Sequence, residues 1–100
     1  FALFDDHVSI YDRLKFCIEN EIEIAVVDDD VGVSQVHSDP WPPIPTASMV
    51  FNYDKIPKKF DWICNGMQAN ADISGLKVHD ICKYYTGYKD VSFTSLLLKR

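Results

Sequence analysis

Long apolar runs are missing from this chain of 100 residues. Stretches such as Ile24–Val27 and Leu96–Leu98 fall far short of the roughly 20 apolar residues that cross a bilayer as a helix. Glycine is scarce, with four residues. None of them builds a phosphate-cradling loop or a G-x-S-x-G elbow. Cysteine is scarce too: Cys17, Cys64 and Cys82 make an odd set without a C-x-x-C pair. That excludes a disulfide framework and favours buried free thiols in a reducing, intracellular compartment. No basic segment followed by an apolar one marks a signal peptide. The chain opens on Phe1 and closes on Lys99-Arg100, and we expect a domain excised from a larger protein.

What is present is the composition of one globular domain, 47% hydrophobic and 13% aromatic. Fifteen acids against ten bases give a net charge of −5. The charge is uneven. Residues 1–50 hold ten acids and two bases, and residues 51–100 hold five acids and eight bases. The sign changes near Pro40–Pro45, which reads as an extended, stiff connector over residues 40–46. It separates an acidic half (1–39) from a basic, aromatic half (47–100).

Residues 1–4 are strand-compatible. Over about residues 7–20 the apolar positions Ile10, Tyr11, Leu14, Cys17 and Ile18 share one helical arc, with Asp5 or Asp6 near its start. Glu21–Val27 shifts to a period of two and then to a continuous apolar run, as in a central strand. Asp28-Asp29-Asp30-Val31-Gly32 reads as a turn and Val33–His37 as the returning strand. Ala47–Tyr53 alternates like a strand. Phe60, Ile63, Cys64 and Met67 sit at helical spacing, which predicts a helix over about 58–69. A third helix starts at Ser74, with Val78, Ile81, Cys82 and Tyr85 inward and Gly87 beyond its end. Residues 91–98 suit a strand or a helix. The sum is an α+β domain, a three- to four-stranded sheet with two or three helices on one side. Dropping one helix leaves a ferredoxin-like βαββαβ order.

Several constellations bear on function. Carboxylates Asp28–Asp30 after an apolar strand suit Mg²⁺ or a phosphoryl group; a solvated turn is the simpler reading. This segment resembles the first acidic site of a response-regulator receiver, without the later strands and lysine of that site. Residues 8–38 resemble one helix–strand–turn–strand unit of cystathionine-β-synthase-type ligand-binding modules, without the paired second unit. His37, Cys64, His79 and Cys82 lack the spacing of a zinc knuckle, and no cofactor is expected. The lysines interleave with rings, so Lys58, Lys59, Lys83, Lys89, Lys99 and Arg100 are candidates for nucleic-acid contacts. Within them, Asp80-Ile81-Cys82 and Gly87-Tyr88 through Ser92-Phe93-Thr94-Ser95 to Lys99-Arg100 resemble the second helix-turn-helix of AraC-type regulators. That likeness implies a recognition helix over 91–100, although one extra residue precedes Gly87.

No catalytic set assembles, and Phe16, Trp41 and Trp62 fall off the apolar stripes. Exposed rings of this kind anchor protein interfaces. The leading expectation is a non-enzymatic protein-interaction or regulatory domain with a protein partner. Nucleic acid and a small metal site at Asp28–Asp30 are the alternatives. The oppositely charged halves also suit a homo-oligomer.

Overall fold

Ser9 sets the start of the first helix, α1 (Ile10–Glu19). Its hydroxyl accepts the Asp12 amide at 3.4 Å, satisfying one of the open donors of the first turn. The cap is therefore Ser9. Ile10, Leu14 and Cys17 are fully buried, as their shared arc requires. The helix closes at Asn20, whose side-chain amide donates to the Phe16 carbonyl, and Glu21 takes a positive φ of 53°.

In this computed structural model, residues 1–5, 8–33, 44–64, 66–91 and 93–100 are described. Strand β1 (Ala2–Phe4) and strand β2 (Ile24–Asp30) lie parallel with α1 as their crossover. After β2 come α2 (Ala47–Phe51), a short 3₁₀ turn (Tyr53–Lys55), β3 (Lys59–Cys64), β4 (Met67–Asp72), α3 (Val78–Cys82), β5 (Tyr85–Val91) and β6 (Phe93–Lys99). The main sheet runs β1-β2-β6-β5, and β3-β4 form a separate hairpin. The domain is α+β, with β2 central as its apolar run implies. The ferredoxin-like order does not hold. There a third strand would separate β1 from β2, whereas here the two are direct neighbours.

Several local expectations are corrected. Asp28–Asp30 is the end of β2, not a turn, and a bulge between Asp28 and Asp30 shifts the register against β6. A bulge redirects the following side chain, and Asp30 goes fully into the interior. The expected strand over 47–53 is helical. Thr46 caps it by accepting the Met49 amide while donating to the Val31 carbonyl at 2.6 Å. Ala47, Met49 and Val50 are buried as a result. The expected helix over 58–69 is the β3-β4 hairpin, with Gly66 at φ 76°. Its turn was written in the sequence as Asn65-Gly66, a strong hairpin signal. The helix at Ser74 starts later. Ser74 instead donates its amide to Asp72 beside Gly75 at φ 80°, so a turn comes first. Tyr85 and Gly87 belong to β5. Val91 ends β5, β6 begins at Phe93, and the two strands pair antiparallel. A recognition helix is therefore excluded and the AraC-type likeness fails. Residues 34–37 of the expected returning strand and 40–43 of the expected connector lie outside the described residues.

The three helices pack on one another and on one sheet face. Ala25, Val27, Tyr85 and Leu97 from the sheet meet Ile10, Leu14, Ala47, Val50, Val78 and Ile81 in a buried cluster. A smaller cluster, Val31, Met49 and Ile73, joins α2 to the hairpin and is flanked by Phe60 and Trp62.

Candidate interaction surface

Pleating sends alternate residues of a strand to opposite faces. In β2, Ala25 and Val27 point at the helices, so Ile24 and Val26 point away. The registers Leu3↔Val26↔Leu96 and Ile24↔Leu98↔Thr86 carry this outward set across the four strands. The outer face therefore shows Leu3, Ile24, Val26, Leu96 and Leu98. None of them belongs to either buried cluster. Leu3 is 62% exposed and Ile24 39%, while inward Ala25, Val27 and Leu97 are at 0%. Among the described residues all helices contribute to the inner layer. Half of an apolar sheet is thus left facing outward.

The aromatic candidates do not converge. Phe16 is exposed, but it stands on α1 in the helical layer. Trp62 is half-buried in β3, with its ring centroid 6.3 Å from that of Phe60, against the smaller cluster. It is a packing residue rather than a free anchor. Its turn to the core follows from strand alternation, which places Phe60 and Trp62 on one side and exposed Ile63 on the other. Trp62→Ala is expected to lower stability by about 1–2 kcal/mol, less than for a fully buried Trp, in a urea titration. An unchanged midpoint would return Trp62 to the surface candidates. Trp41 lies outside the described residues.

The basic candidates divide into two groups. Lys58 and Lys59 open the hairpin. Lys58 Nζ donates to the Ile56 carbonyl at 2.7 Å and sits 4.7 Å above the Tyr53 ring. Lys83, Lys99 and Arg100 meet near the start of β2. The Arg100 amide donates to the Tyr84 carbonyl, and the Lys99 amide donates to the Glu23 carbonyl. Lys83 Nζ lies 3.8 Å from Asp80, and Arg100 Nε donates to Thr86 at 2.8 Å. The Lys89 side chain lies outside the described residues. No single basic stripe forms among those described.

The acidic cluster is a structural joint. Asp30 accepts the Ser48 amide and the Ser48 hydroxyl, both at 2.8 Å, and the Ser95 hydroxyl. Asp28 accepts from the Thr94 hydroxyl at 3.3 Å on the outer face. The two carboxylates point to opposite sides of the sheet, so they do not share one cation. The Asp29 side chain lies outside the described residues. Among the described residues no group of three His, Cys, Asp or Glu side chains suits a metal ion. His37 and the Cys64 side chain lie outside them.

A cleft between the 3₁₀ turn and α3 holds His79, Asp54 and Cys82. His79 Nε2 stands 3.3 Å from Asp54 Oδ1. That resembles a thiol–imidazole–carboxylate set in composition only. Burial pushes the Cys82 thiol up from its usual range, and Asp54 adds to this against the opposing pull of Arg100. A nucleophilic cysteine needs the reverse. Burial likewise raises the Cys17 thiol and the Tyr85 hydroxyl, which donates to the Ile22 carbonyl. The Asp72 carboxyl moves down, through its bonds to Ser74. These shifts describe packed groups and a turn, without a poised acid–base pair.

The outer-face residues escaped the sequence reading, although their signal was there. Ile24-Ala25-Val26-Val27 and Leu96-Leu97-Leu98 are apolar in both phases. A strand covered on one face alternates, whereas a strand covered on both is continuously apolar. No described helix is long and apolar enough to cross a membrane. No family model, curated protein or solved structure matches the chain.

Proposed function

We propose that this is a non-enzymatic protein-interaction domain that docks its partner on the outer face of the main sheet. One observation carries this reading. The two central strands are built for cover on both sides, and the helices of the fold supply one layer. Exposed contiguous aliphatic surface is favourably removed from water at about 25 cal/mol per Å². Among the described residues of the helical layer, exposed Phe16 stands on α1 and exposed Tyr84 lies between α3 and β5.

The test is site-specific photo-crosslinking in cells. A benzophenone side chain in place of Leu3 should give protein adducts, to this chain or another. The same probe at Glu19, on the exposed side of α1, should not. Equal adducts at both positions, or none at Leu3 in a protein that still melts cooperatively, would sink the reading.

A further inference from the structure

We infer that the outer face binds a second copy of this chain, in a two-fold, face-to-face pair with the strands of the two copies antiparallel. This rests on the interaction reading above and adds the identity and orientation of the partner.

The centre of the face is aliphatic and free of charge on β1, β2 and β6, with Leu3, Val26 and Leu96 in one row and Ile24 and Leu98 in the next. Such a surface complements itself. The charges stand at its two ends and differ in sign. At one end Asp28 faces outward beside Thr94. Exposed Asp5 is level with it, because Phe4 pairs with Val27. At the other end Arg100 reaches across to Thr86 on the outward row. Glu23 and Lys99 lie at this end too, one position out of phase, bonded to each other through the backbone. From Ile24 to Asp28 is about 13 Å along the strand.

Two in-plane axes are available to a symmetric pair. An axis along the strands sets Asp28 over Asp28 and Arg100 over Arg100. An axis across the strands keeps each strand's place in the order and sets Arg100 of each copy over the far end of β6 in the other, where Thr94 holds Asp28, twice. Only the second arrangement complements the charges, and it keeps leucine over leucine in the middle. Sheets packed in this way lie about 10 Å apart with strands about 30° from alignment.

The area argues for a weak dimer. Four strands about 4.8 Å apart and about five residues long give a footprint of roughly 19 by 17 Å. That is below the size of stable specific interfaces and suits a transient pair, so dissociation in the upper micromolar range is expected. The β1 edge is a poor route, because β1 offers three residues for pairing and short edge strands limit strand addition.

The experiment is sedimentation velocity on the whole chain, from about 1 to about 500 μM at low salt. Wild type should pass from monomer to dimer within that range. Arg100→Glu and Asp28→Lys should each weaken dimerisation about tenfold or more, because each disturbs two symmetric contacts. The double variant should return to within about threefold of wild type. Melting curves confirm that each variant is folded. A monomer at every concentration would overturn the inference. So would a dimer that the singles leave unchanged or that the double variant does not restore. If no dimer forms but the Leu3 probe still captures another protein, the interaction reading stands and only the self-pairing falls.

Discussion

Asp30→Ala is expected to destabilise the domain by about 3–5 kcal/mol, since each buried donor left unpaired costs about 1–3 kcal/mol and rotating hydroxyls recover part of this. Among the donors on that one carboxylate are the Ser48 amide, the Ser48 hydroxyl and the Ser95 hydroxyl. The residue is at 0% exposure, so water does not replace the lost acceptor. The site also joins three elements. Asp30 ends β2, Ser48 lies in the first turn of α2, and Ser95 lies in β6. Next to it, Thr46 ties the Val31 carbonyl to the start of α2. Removing Asp30 therefore loosens the attachment of α2 to the sheet. Asp30→Asn keeps the shape and one oxygen, and about half the loss is expected. Urea denaturation followed by circular dichroism measures both. A loss under about 1 kcal/mol for the alanine variant would show that the joint is dispensable.

Gly87→Ala is expected to lower stability by about 1–3 kcal/mol through overpacking. The direction is informative, because alanine ordinarily improves on glycine within a strand by roughly 0.5–1 kcal/mol. Here a Cβ would meet Phe51 Cδ2 at 2.7 Å, Cε2 at 2.8 Å and Cγ at 3.0 Å. The ring of Phe51 packs against the main cluster, so it has little freedom to retreat. Phe51→Ala alone leaves a gap over β5. Combined with Gly87→Ala, it removes the clash, so the double variant should lose less than the sum of the singles. Additive losses would mean that Phe51 swings aside and that Gly87 is not reserved for it.

Much of the first half was legible from periodicity. The α1 arc of Ile10, Leu14 and Cys17 repeats often enough to identify a helix without tertiary help. The apolar run after Glu23 marked the central strand. The second half misled for a physical reason. Phe60, Ile63, Cys64 and Met67 fit a helical stripe, yet Asn65-Gly66 interrupts it with a turn that needs positive φ. Short segments satisfy two periods at once, and their partners then decide between them. Met49, Phe51 and Tyr53 alternated like a strand until Thr46 supplied a cap and the sheet supplied Asp30. The opposite charges of the two chain halves also changed meaning. What faces outward is a sheet with acidic and basic ends, drawn from Asp5, Asp28 and Arg100.

By itself the sequence determined an α+β domain with α1, a central β2 and no membrane-crossing helix among its described elements. Composition and period set these, because burial of an apolar stripe needs no knowledge of its neighbour. The tertiary structure alone decided that Asp30 is interior, that Trp62 packs inward and that Leu3, Ile24, Val26, Leu96 and Leu98 remain outside. Those outcomes depend on register and on which layer covers which face. Local spacing does not encode either, since shifting a strand by one residue exchanges its two faces.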